Sequence, residues 1–371
     1  IELFENQYKV PQGVSYNSYL VKGEKIAVVD TTDDQTGTEW LANLQKALDG
    51  ATPDFLVIEH LEPDHSSLIS TFGEIYHEAT LVMSTTAARM LPQYFDPIPA
   101  GCRIMTVKEG DTLDLGGLTL HFLLAPMVHW PEVMMAYCPE RHLIFSADAF
   151  GTFGALDSIT EDWPTEAARY YFNIVGKYGP QVQNTLKKLS TLDIETICPL
   201  HGPVITENIN YYIGLYDAWS SYHPEKDGVF IACASIHGNT LEAAEYLAEE
   251  LRHQGEKEVF VADLTRLDIS EAVAEAFKYP KAVFCASSYD AGLFTPMYTF
   301  LHVLASKGYC NRKAAIVENG SWAPSAGKVM RTMLAEMKGI DLMPDTLTIR
   351  GAFKESDRLA VADFAAKIRS F

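Results

Sequence analysis

The sequence lacks the features that mark secreted, membrane-spanning and disulfide-stabilised proteins. Its six cysteines, at positions 102, 138, 198, 233, 285 and 310, include no C-x-x-C pair, which excludes a disulfide framework and a four-cysteine iron module. No apolar run reaches about 18 residues, so no transmembrane segment is expected. The chain opens at Ile1 without a methionine and without a basic segment followed by an apolar one, which predicts a trimmed N-terminus and no secretory signal. These absences predict a soluble cytoplasmic protein.

Basic residues are scarce, and the shortage is uneven along the chain. The 29 Lys and Arg are outnumbered by 49 Asp and Glu, which gives a net charge of −20. Residues 1–227 hold 13 basic and 31 acidic side chains, whereas residues 228–371 hold 16 and 18. This balance argues against nucleic-acid binding. An acidic partner protein would be repelled by the first segment but not by the second, so the second is the expected docking segment.

The length and the connector predict two domains. The 371 residues exceed one ordinary domain. A polar, proline-containing stretch at residues 220–227 separates a predicted domain of residues 1–224 from another of residues 228–371. In the second, apolar runs that predict strands alternate with helical patterns, and these runs are residues 229–233, 259–261, 282–286, 314–317 and 347–349. This alternation predicts a doubly wound parallel sheet of the α/β class.

Residues 60–65 concentrate metal-binding groups. The run His60-Leu61-Glu62-Pro63-Asp64-His65 places two imidazoles and two carboxylates within six residues. It follows an apolar run, residues 55–58, that predicts a buried strand, and it precedes a helical pattern that Ser66 or Ser67 is expected to cap. One ion cannot easily use all four side chains together with ligands from elsewhere. Because side chains at alternate positions can converge, the run predicts that His60, Glu62 and Asp64 point one way while His65 reaches a second metal.

Three further predicted strands each end near a ligand-type residue. His129 follows residues 118–124, Asp148 follows residues 143–146, and His201 follows residues 194–198. Because the strands of a layered α/β sheet gather a site at one edge, these side chains are expected to converge. The candidate metal ligands are His60, Glu62, Asp64, His65, His129, Asp148 and His201. With one carboxylate bridging, they suffice for two metals roughly 3.5–4 Å apart.

Each downstream candidate has a simpler interpretation when it is taken alone. His201-Gly202 by itself is more typical of a turn, and Asp148 could cap a helix. The presence of the other candidate ligands favours a metal-binding role for both His201 and Asp148. Trp130 and Tyr19 are expected to line the metal pocket. The other histidines fit no motif and are interpreted as structural or solvated, except that the role of His237 stays open; they are His77, His121, His142, His223, His253 and His302.

Three loops after predicted strands of the second segment favour a phosphate-bearing ligand. The first combines hydroxyls with backbone N–H groups at a helix N-terminus, which makes an anion cradle. It lacks the G-K-[ST] and G-x-G-x-x-G patterns, which favours a phosphate monoester. The loops are Ser235-Ile236-His237-Gly238-Asn239-Thr240, Ser287-Ser288-Tyr289-Asp290-Ala291-Gly292 and Asn319-Gly320-Ser321-Trp322-Ala323.

The patterns H-x-E-x-D-H, H-W-P, S-x-D-A-F-G and H-G together resemble the metallo-β-lactamase-like domain of flavodiiron proteins, and they cover the N-terminal three-fifths of the chain. Hydrolases of this fold usually have H-x-H-x-D-H and bind zinc. Glu62 at the third motif position is a harder donor that favours iron. The resemblance implies an N-terminal αββα sandwich followed by a flavodoxin-like doubly wound parallel sheet.

The resemblance also implies the ligand sets and the cofactors. One iron would be held by His60, Glu62 and His129, another by Asp64, His65 and His201, with Asp148 as the bridge. The counterpart of His65 does not bind metal in every member of the family. The three loops of the second segment resemble the flavodoxin loops that hold FMN, so the implied cofactors are FMN and two iron ions.

The implied activity is reduction of dioxygen to water, of nitric oxide to nitrous oxide, or of both, with FMN passing electrons to the diiron pair. The resemblance further implies a head-to-tail homodimer. Because no four-cysteine iron module is encoded, the electron donor is expected to be a separate molecule such as rubredoxin, a flavin reductase or a reduced deazaflavin. The preference between the two gases stays open, since both use the same ligands.

Two other functions remain open from the sequence. The first is a dizinc hydrolase with a flavodoxin module, which zinc in the isolated protein and esterase or lactamase turnover would support. The second is a non-catalytic flavin electron carrier, which reversible flavin reduction without gas consumption would support. Glu62 argues against the hydrolase, and the complete ligand set argues against the carrier.

Overall fold

The structure, a computed structural model, describes residues 3–95, 102–158 and 163–371. Ile1, on which the expectation about the N-terminus depends, lies outside these ranges. The chain divides into two compact units, Ile1–Tyr171 with Tyr178–Ser220 and Phe172–Lys177 with Ser221–Phe371. The domain bounds of 1–224 and 228–371 stay a prediction. None of the described helices is long and apolar enough to cross a membrane.

The first unit contains two five-stranded sheets and a two-stranded ribbon within its described residues. Its strands are β1 (Leu3–Phe4), β2 (Tyr8–Lys9), β3 (Tyr19–Lys22), β4 (Ile26–Val29), β5 (Phe55–Ile58), β6 (Thr80–Ser84), β7 (Arg103–Val107), β8 (Thr112–Asp114), β9 (Thr119–Leu124), β10 (Met134–Cys138), β11 (Leu143–Phe145) and β12 (Thr196–Cys198). Its helices are α1 (Gly37–Leu48), α2 (Pro63–Ser66), α3 (Ile69–Ile75), α4 (Thr85–Met90), most of α5 (Trp163–Ile174), α6 (Gly179–Leu189) and α7 (Ile209–Ser220).

The two larger sheets of this unit share one buried core. The first has the order β3-β4-β5-β6-β7 and the second β12-β11-β10-β9-β8. Val57 of the first sheet belongs to the same buried cluster as Phe122 and Met134 of the second. Each such side chain contributes about 1.5–3 kcal/mol when fully buried.

Helices cover the outer faces of the sandwich. Leu56 of β5 packs with Trp40 of α1 and Phe72 of α3 in a second buried cluster. Because β5 is covered on both faces, its sequence is continuously apolar instead of alternating. On the second sheet, Lys188 of α6 donates a hydrogen bond to the carbonyl of Leu124 in β9. The layering confirms the αββα sandwich.

The second unit has a parallel sheet in the order β14-β13-β15-β17-β18, and β16 pairs antiparallel with β15. Its strands are β13 (Gly228–Ala234), β14 (Glu258–Asp263), β15 (Lys281–Tyr289), β16 (Gly292–Leu293), β17 (Lys313–Asn319) and β18 (Asp341–Ile349). Its helices are α8 (Asn239–His253), α9 (Ile269–Lys278), α10 (Thr295–Ser306), α11 (Ala326–Ala335) and α12 (Glu355–Ser370). Numbered along the chain, the five parallel strands have the order 2-1-3-4-5, which confirms the flavodoxin-like sheet.

The predicted serine cap after residues 60–65 is wrong. Ser66 Oγ donates to the carbonyl of Leu61, and Ser67 Oγ donates to the carbonyl of Pro63. The short helix α2 instead begins inside the motif at Pro63, where a proline suits the first helical position because its φ is already fixed. α3 follows without a side-chain cap. The second half of the motif is therefore a turn of helix, so His65 projects from a helix whereas His60 projects from the loop after β5.

Candidate functional site

The loop that carries the first ligands is fixed by a buried aspartate. Asp30 follows β4, and its Oδ1 accepts hydrogen bonds from the backbone N–H groups of Glu59 and His60 at 3.0 and 3.3 Å. β5 lies beside β4 and runs parallel to it, so the two strand ends meet at one edge of the sheet. Asp30 thereby holds the chain at the point where it leaves β5 and enters the motif.

His60, Glu62 and His129 form the first ligand group. Oε2 of Glu62 lies 3.2 Å from Nε2 of His60 and 3.0 Å from Nε2 of His129. Asp148 adds its Oδ2, 3.1 Å from Nε2 of His129. The candidate ligand atoms of these four residues all lie within 4.8 Å of one another, which is compact enough to surround one ion.

Asp64, His65 and His201 form the second ligand group. Oδ2 of Asp64 lies 3.3 Å from Nε2 of His65 and 3.3 Å from Nε2 of His201. The two imidazole nitrogens are 3.1 Å apart. These ligand atoms also lie within 4.8 Å of one another. The two residues that flank Pro63, Glu62 and Asp64, thus point into different groups, so the prediction that His60, Glu62 and Asp64 point one way is wrong.

Asp148 connects the two groups. Its Oδ2 faces His60 and His129, and its Oδ1 lies 3.1 Å from Nε2 of His65 and 3.7 Å from Nε2 of His201. One carboxylate oxygen directed at each group is the arrangement of a bridging ligand. All seven side chains that the sequence predicted as metal ligands are therefore gathered at one edge of the sandwich.

The donor atoms are better placed to bind metal ions than to form hydrogen bonds with one another. Nδ1 of His201 lies 2.8 Å from the carbonyl of Ser15, which can only accept, so a neutral ring would direct the Nε2 lone pair at His65. Two imidazole nitrogens bound to one ion at about 2.1 Å lie about 3.0–3.4 Å apart, so the spacing found here suits a shared cation. Nε2 of His129 and Oδ1 of Asp148 face the ligand groups and are buried without a well-formed hydrogen bond among the described residues, as expected of metal ligands.

The charges of the site favour the binding of a cation. Burial opposes ionisation of Glu62, but its contacts with His129 and His60 outweigh burial and lower its pKa to about 2. Burial likewise works against protonation of His129, but Asp148 and Glu62 raise its pKa to about 9. Burial opposes the charge of Asp148 too, yet His65 and His60 hold its pKa well below its usual range. The carboxylates of Glu62 and Asp148 therefore favour their ionised forms, which attract cations, whether protons or metals, into the site.

Three of the seven ligands reach the surface. The side chains of Glu62, Asp64 and His129 are 17%, 13% and 10% exposed, whereas those of the other four are at most 1% exposed. The exposed fractions mark the side from which a small molecule can reach the ligands. Trp130 lies nearby, with its ring centroid 5.3 Å from that of His60. Tyr19 donates to the carbonyl of Pro199, and so supports the loop that carries His201.

The sequence missed the residues that hold the ligands from behind. Glu132 lies 2.9 Å from Nδ1 of His60, and Ser15 contacts His201. Burial raises the pKa of Asp30 and of Glu59, two acids behind the site, well above the usual range. Glu132 could have been suspected, because it directly follows the H-W-P motif. No local signal points to Ser15, which lies 186 residues from His201.

The loops of the second unit meet at the carboxyl ends of β13, β15 and β17. The backbone N–H of Thr240 donates to Oγ of Ser235 at 3.2 Å, and Oγ1 of Thr240 lies 2.9 Å from Oγ of Ser287. Gly238 precedes helix α8 with φ of 90°, a conformation that favours glycine. The first loop therefore presents hydroxyls and a helix N-terminus together, which fits a phosphate group.

The second loop is hydrogen-bonded to residues that directly follow the third loop, and strand β15 extends into the second loop. Oγ of Ser288 accepts hydrogen bonds from the N–H groups of Ser325 and Ala326 at 2.8 and 3.2 Å. β15 continues to Tyr289 and pairs back with β16, so residues 287–292 form a hairpin. In the third loop the side chain of Trp322 is 91% exposed.

A fourth loop, which the sequence did not indicate, adjoins the third. The N–H of Gly351 donates to Oδ1 of Asn319 at 3.0 Å, and Nδ2 of Asn319 donates back to the Gly351 carbonyl at 2.9 Å. His237 is exposed, and its role stays open.

A sequence model of the family described as "ODP family beta lactamase" matches residues 14–202, slightly more than half of the chain. The chain belongs to this family. The matched range contains all seven candidate ligands, from His60 to His201.

Relatives of this ODP-family chain extend the likeness beyond residue 202. An uncharacterised protein of Methanocaldococcus jannaschii is 28% identical over 367 residues, covering 97% of this chain and 92% of the relative. The anaerobic nitric oxide reductase flavorubredoxin of Vibrio vulnificus is 29% identical over 333 residues, covering 85% of this chain and 65% of the relative. The chain thus spans less than two-thirds of the flavorubredoxin.

A solved structure shows the same fold. Rubredoxin:oxygen oxidoreductase from Desulfovibrio gigas superimposes with a TM-score of 0.91 at 24% identity, over 99% of this chain and 93% of that one. Together with the family match, these relatives confirm the resemblance of this ODP-family protein to flavodiiron proteins.

Proposed function

We propose that this ODP-family protein is an oxidoreductase that reduces dioxygen to water, nitric oxide to nitrous oxide, or both, at a diiron site that receives electrons through FMN. The observation that carries the proposal is Asp148, whose two carboxylate oxygens face two separate groups of imidazole and carboxylate ligands. The names of the similar proteins, a nitric oxide reductase flavorubredoxin and a rubredoxin:oxygen oxidoreductase, support the same reaction class.

Each ligand group would hold one iron with two imidazoles, one carboxylate and one oxygen of Asp148. When bound, the iron pair supplies adjacent positions for the gas and delivers electrons together. The chain's own part is to keep the ligands fixed and mostly dry. Glu62, Asp64 and His129, which are partly exposed, would border the opening for the gas. The buried ligands opposite them leave little room for bulk water.

FMN would bind at the second unit. Ser235, Thr240 and the start of α8 would hold its phosphate, because hydroxyl and backbone N–H donors converge there. The hairpin at residues 287–292 and the loop at residues 319–323 would flank the flavin ring. The exposed side chains of Tyr289 and Trp322 would be available to contact it.

The candidate flavin and metal sites belong to different units of the chain. A head-to-tail homodimer would place the FMN of one subunit beside the metals of the other. The electron donor would be a separate protein or cofactor, such as rubredoxin, a flavin reductase or a reduced deazaflavin, in a cytoplasmic setting. An acidic donor would dock more readily on residues 228–371, where the charges nearly balance, than on residues 1–227.

Anaerobic titration with each gas tests the proposal. The purified protein is analysed for iron, zinc and flavin, fully reduced, and then titrated separately with dioxygen and with nitric oxide. We expect about two irons per chain and reoxidation of the flavin by at least one gas, with water or nitrous oxide as product. Zinc in place of iron, with hydrolysis of esters or lactams, would instead support a hydrolase. Reversible flavin reduction without gas consumption would support an electron carrier.

The double variant Ser235→Ala and Thr240→Val is expected to lose FMN. It removes two hydroxyls from the proposed phosphate site, and each lost hydrogen bond to a charged group costs about 1.5–3 kcal/mol, so flavin affinity falls roughly 100-fold or more. Flavin content after gel filtration and activity with an electron donor are the measurements. The iron content should not change.

The matched control is Ser306→Ala with Thr332→Val, which makes the same chemical changes at exposed helix positions of the same unit. This control should retain FMN. Equal flavin content in both double variants would refute the assignment of the phosphate site.

A further inference from the structure

The two ligand groups have the same kinds of ligands but different surroundings. Each group has two imidazoles and one carboxylate of its own and one oxygen of Asp148. Any difference between two metals bound there would then come from the contacts made by the far sides of the ligands. The far nitrogen, Nδ1, is the informative atom in His60, His65 and His201, because Nε2 of each ring faces the site.

In the first group, His60 is held by a fully buried carboxylate. Oε1 of Glu132 lies 2.9 Å from Nδ1 of His60, and both side chains are 0% exposed. The same oxygen accepts a hydrogen bond from the N–H of Leu61 at 3.0 Å. The Glu132 backbone is tied in turn by Ser84, whose Oγ donates to its carbonyl at 2.7 Å. The contacts with Leu61 and Ser84 therefore hold Glu132 in position behind His60.

In the second group, no charged side chain within residues 3–95, 102–158 and 163–371 holds the far nitrogen of either imidazole in this way. Nδ1 of His201 meets the neutral backbone carbonyl of Ser15. Nδ1 of His65 is buried without a hydrogen-bond partner among the described residues. A carboxylate partner strengthens a ligand imidazole more than a neutral carbonyl does, because it stabilises positive charge on the ring and on whatever the ring binds. The first ligand group is thus expected to donate more strongly to a metal than the second.

We infer that Glu132 is a positioning residue that makes the metal position of His60, Glu62 and His129 the tighter and the more easily oxidised of the two. The inference rests on the proposed diiron function. The Glu132 carboxylate fixes the proton of His60 on Nδ1 and keeps the Nε2 lone pair directed at the metal. Its negative charge also favours the ferric over the ferrous state at the nearer position, while the farther position lacks this help.

Ferrous-ion affinity, measured one group at a time, tests the positioning role. The metal-free holo-flavin protein is titrated anaerobically with Fe²⁺ in two backgrounds, His201→Ala, which weakens the second group, and His129→Ala, which weakens the first. Glu132→Leu removes the hydrogen-bond acceptor from behind His60. We expect it to weaken Fe²⁺ binding about 10–100-fold in the His201→Ala background and to leave binding nearly unchanged in the His129→Ala background.

Glu132→Gln separates charge from geometry. Its amide oxygen can still accept the hydrogen bond of His60, so both irons should remain bound. The loss of negative charge should raise the potential at which the first iron is oxidised and shrink the mixed-valent population, followed by electron paramagnetic resonance during a potentiometric titration. A purely structural role for Glu132 would not move this potential while the iron content stays complete.

Glu140→Gln is the matched control, because Glu140 is a glutamate of the same unit whose Oε2 accepts a hydrogen bond from the backbone N–H of Thr119 at 3.1 Å, and no contact between it and a candidate ligand is found among the described residues. It should leave both Fe²⁺ affinities unchanged. Equal weakening by Glu132→Leu in both backgrounds, or an unshifted potential in Glu132→Gln, would overturn the inference. Failure of the proposed function looks different, because a wild-type protein that binds two irons but consumes neither gas still yields both affinities.

Discussion

Glu62→Ala is expected to abolish gas reduction while the flavin stays bound. The Glu62 carboxylate lies 3.2 Å from His60 Nε2 and 3.0 Å from His129 Nε2, so its removal leaves the first ligand group with two imidazoles and the shared Asp148. Loss of a direct ligand should exceed the about 10–100-fold effect typical of an outer contact. Iron content per chain, flavin content and gas consumption are the three measurements.

Glu74→Ala is the control for this variant, because Glu74 is an exposed glutamate of the same unit. It should keep iron, flavin and activity. The flavin of Glu62→Ala should survive, since the candidate flavin loops belong to the other compact unit, which has its own buried core. Full iron content together with wild-type gas reduction in Glu62→Ala would refute its role as a ligand.

Mixing two inactive variants is expected to restore activity. One subunit lacks the metal site, through His129→Ala and His201→Ala, and the other lacks the flavin site, through Ser235→Ala and Thr240→Val. In a head-to-tail dimer each mixed pair combines the intact FMN of one chain with the intact metals of the other. After dissociation and reassociation about half of the dimers are mixed, and each has one working pair of sites, so about one quarter of the wild-type activity should return.

Two controls make this result interpretable. Each variant dissociated and reassociated alone should stay inactive, and mixing the two without dissociation should restore little. If electrons travel within a chain, no mixed dimer contains a complete path. Mixed dimers that are demonstrated by mass spectrometry and yet remain inactive would therefore rule out the route between subunits.

Local sequence was enough to predict where a cluster of candidate ligands lies along the chain. The density of His and acidic residues between His60 and His65 directly after an apolar run placed a metal loop at a strand end, and β5 does end at Ile58. The alternation of apolar strands and helices after residue 228 predicted the parallel sheet, which the structure confirms. Such features depend on residues close together in sequence, and that is why they can be recognised there.

Contacts between distant segments could not be predicted in the same way. Ser15 holds His201, and Glu132 holds His60 from 72 residues away. Asn319 pairs with Gly351, which adds a fourth loop beside the candidate flavin site. Each contact depends on which strands are neighbours and on their register, and no short pattern encodes either. The serine cap failed for a local reason instead, because a helical turn begins at Pro63, earlier than the apolar pattern suggested.

The sequence by itself determined the kinds of ligands, the fold class and the family resemblance, because residue type and local spacing carry that information. The division of the seven candidate ligands was implied by the resemblance alone, and the tertiary structure shows it directly, with Asp148 directing one oxygen at each group. Only the tertiary structure decided that His60 has a buried carboxylate behind it while His201 has a neutral carbonyl. That difference arises because strand order and register bring Glu132 and Ser15 to different sides of the site, and the packing of distant segments fixes both.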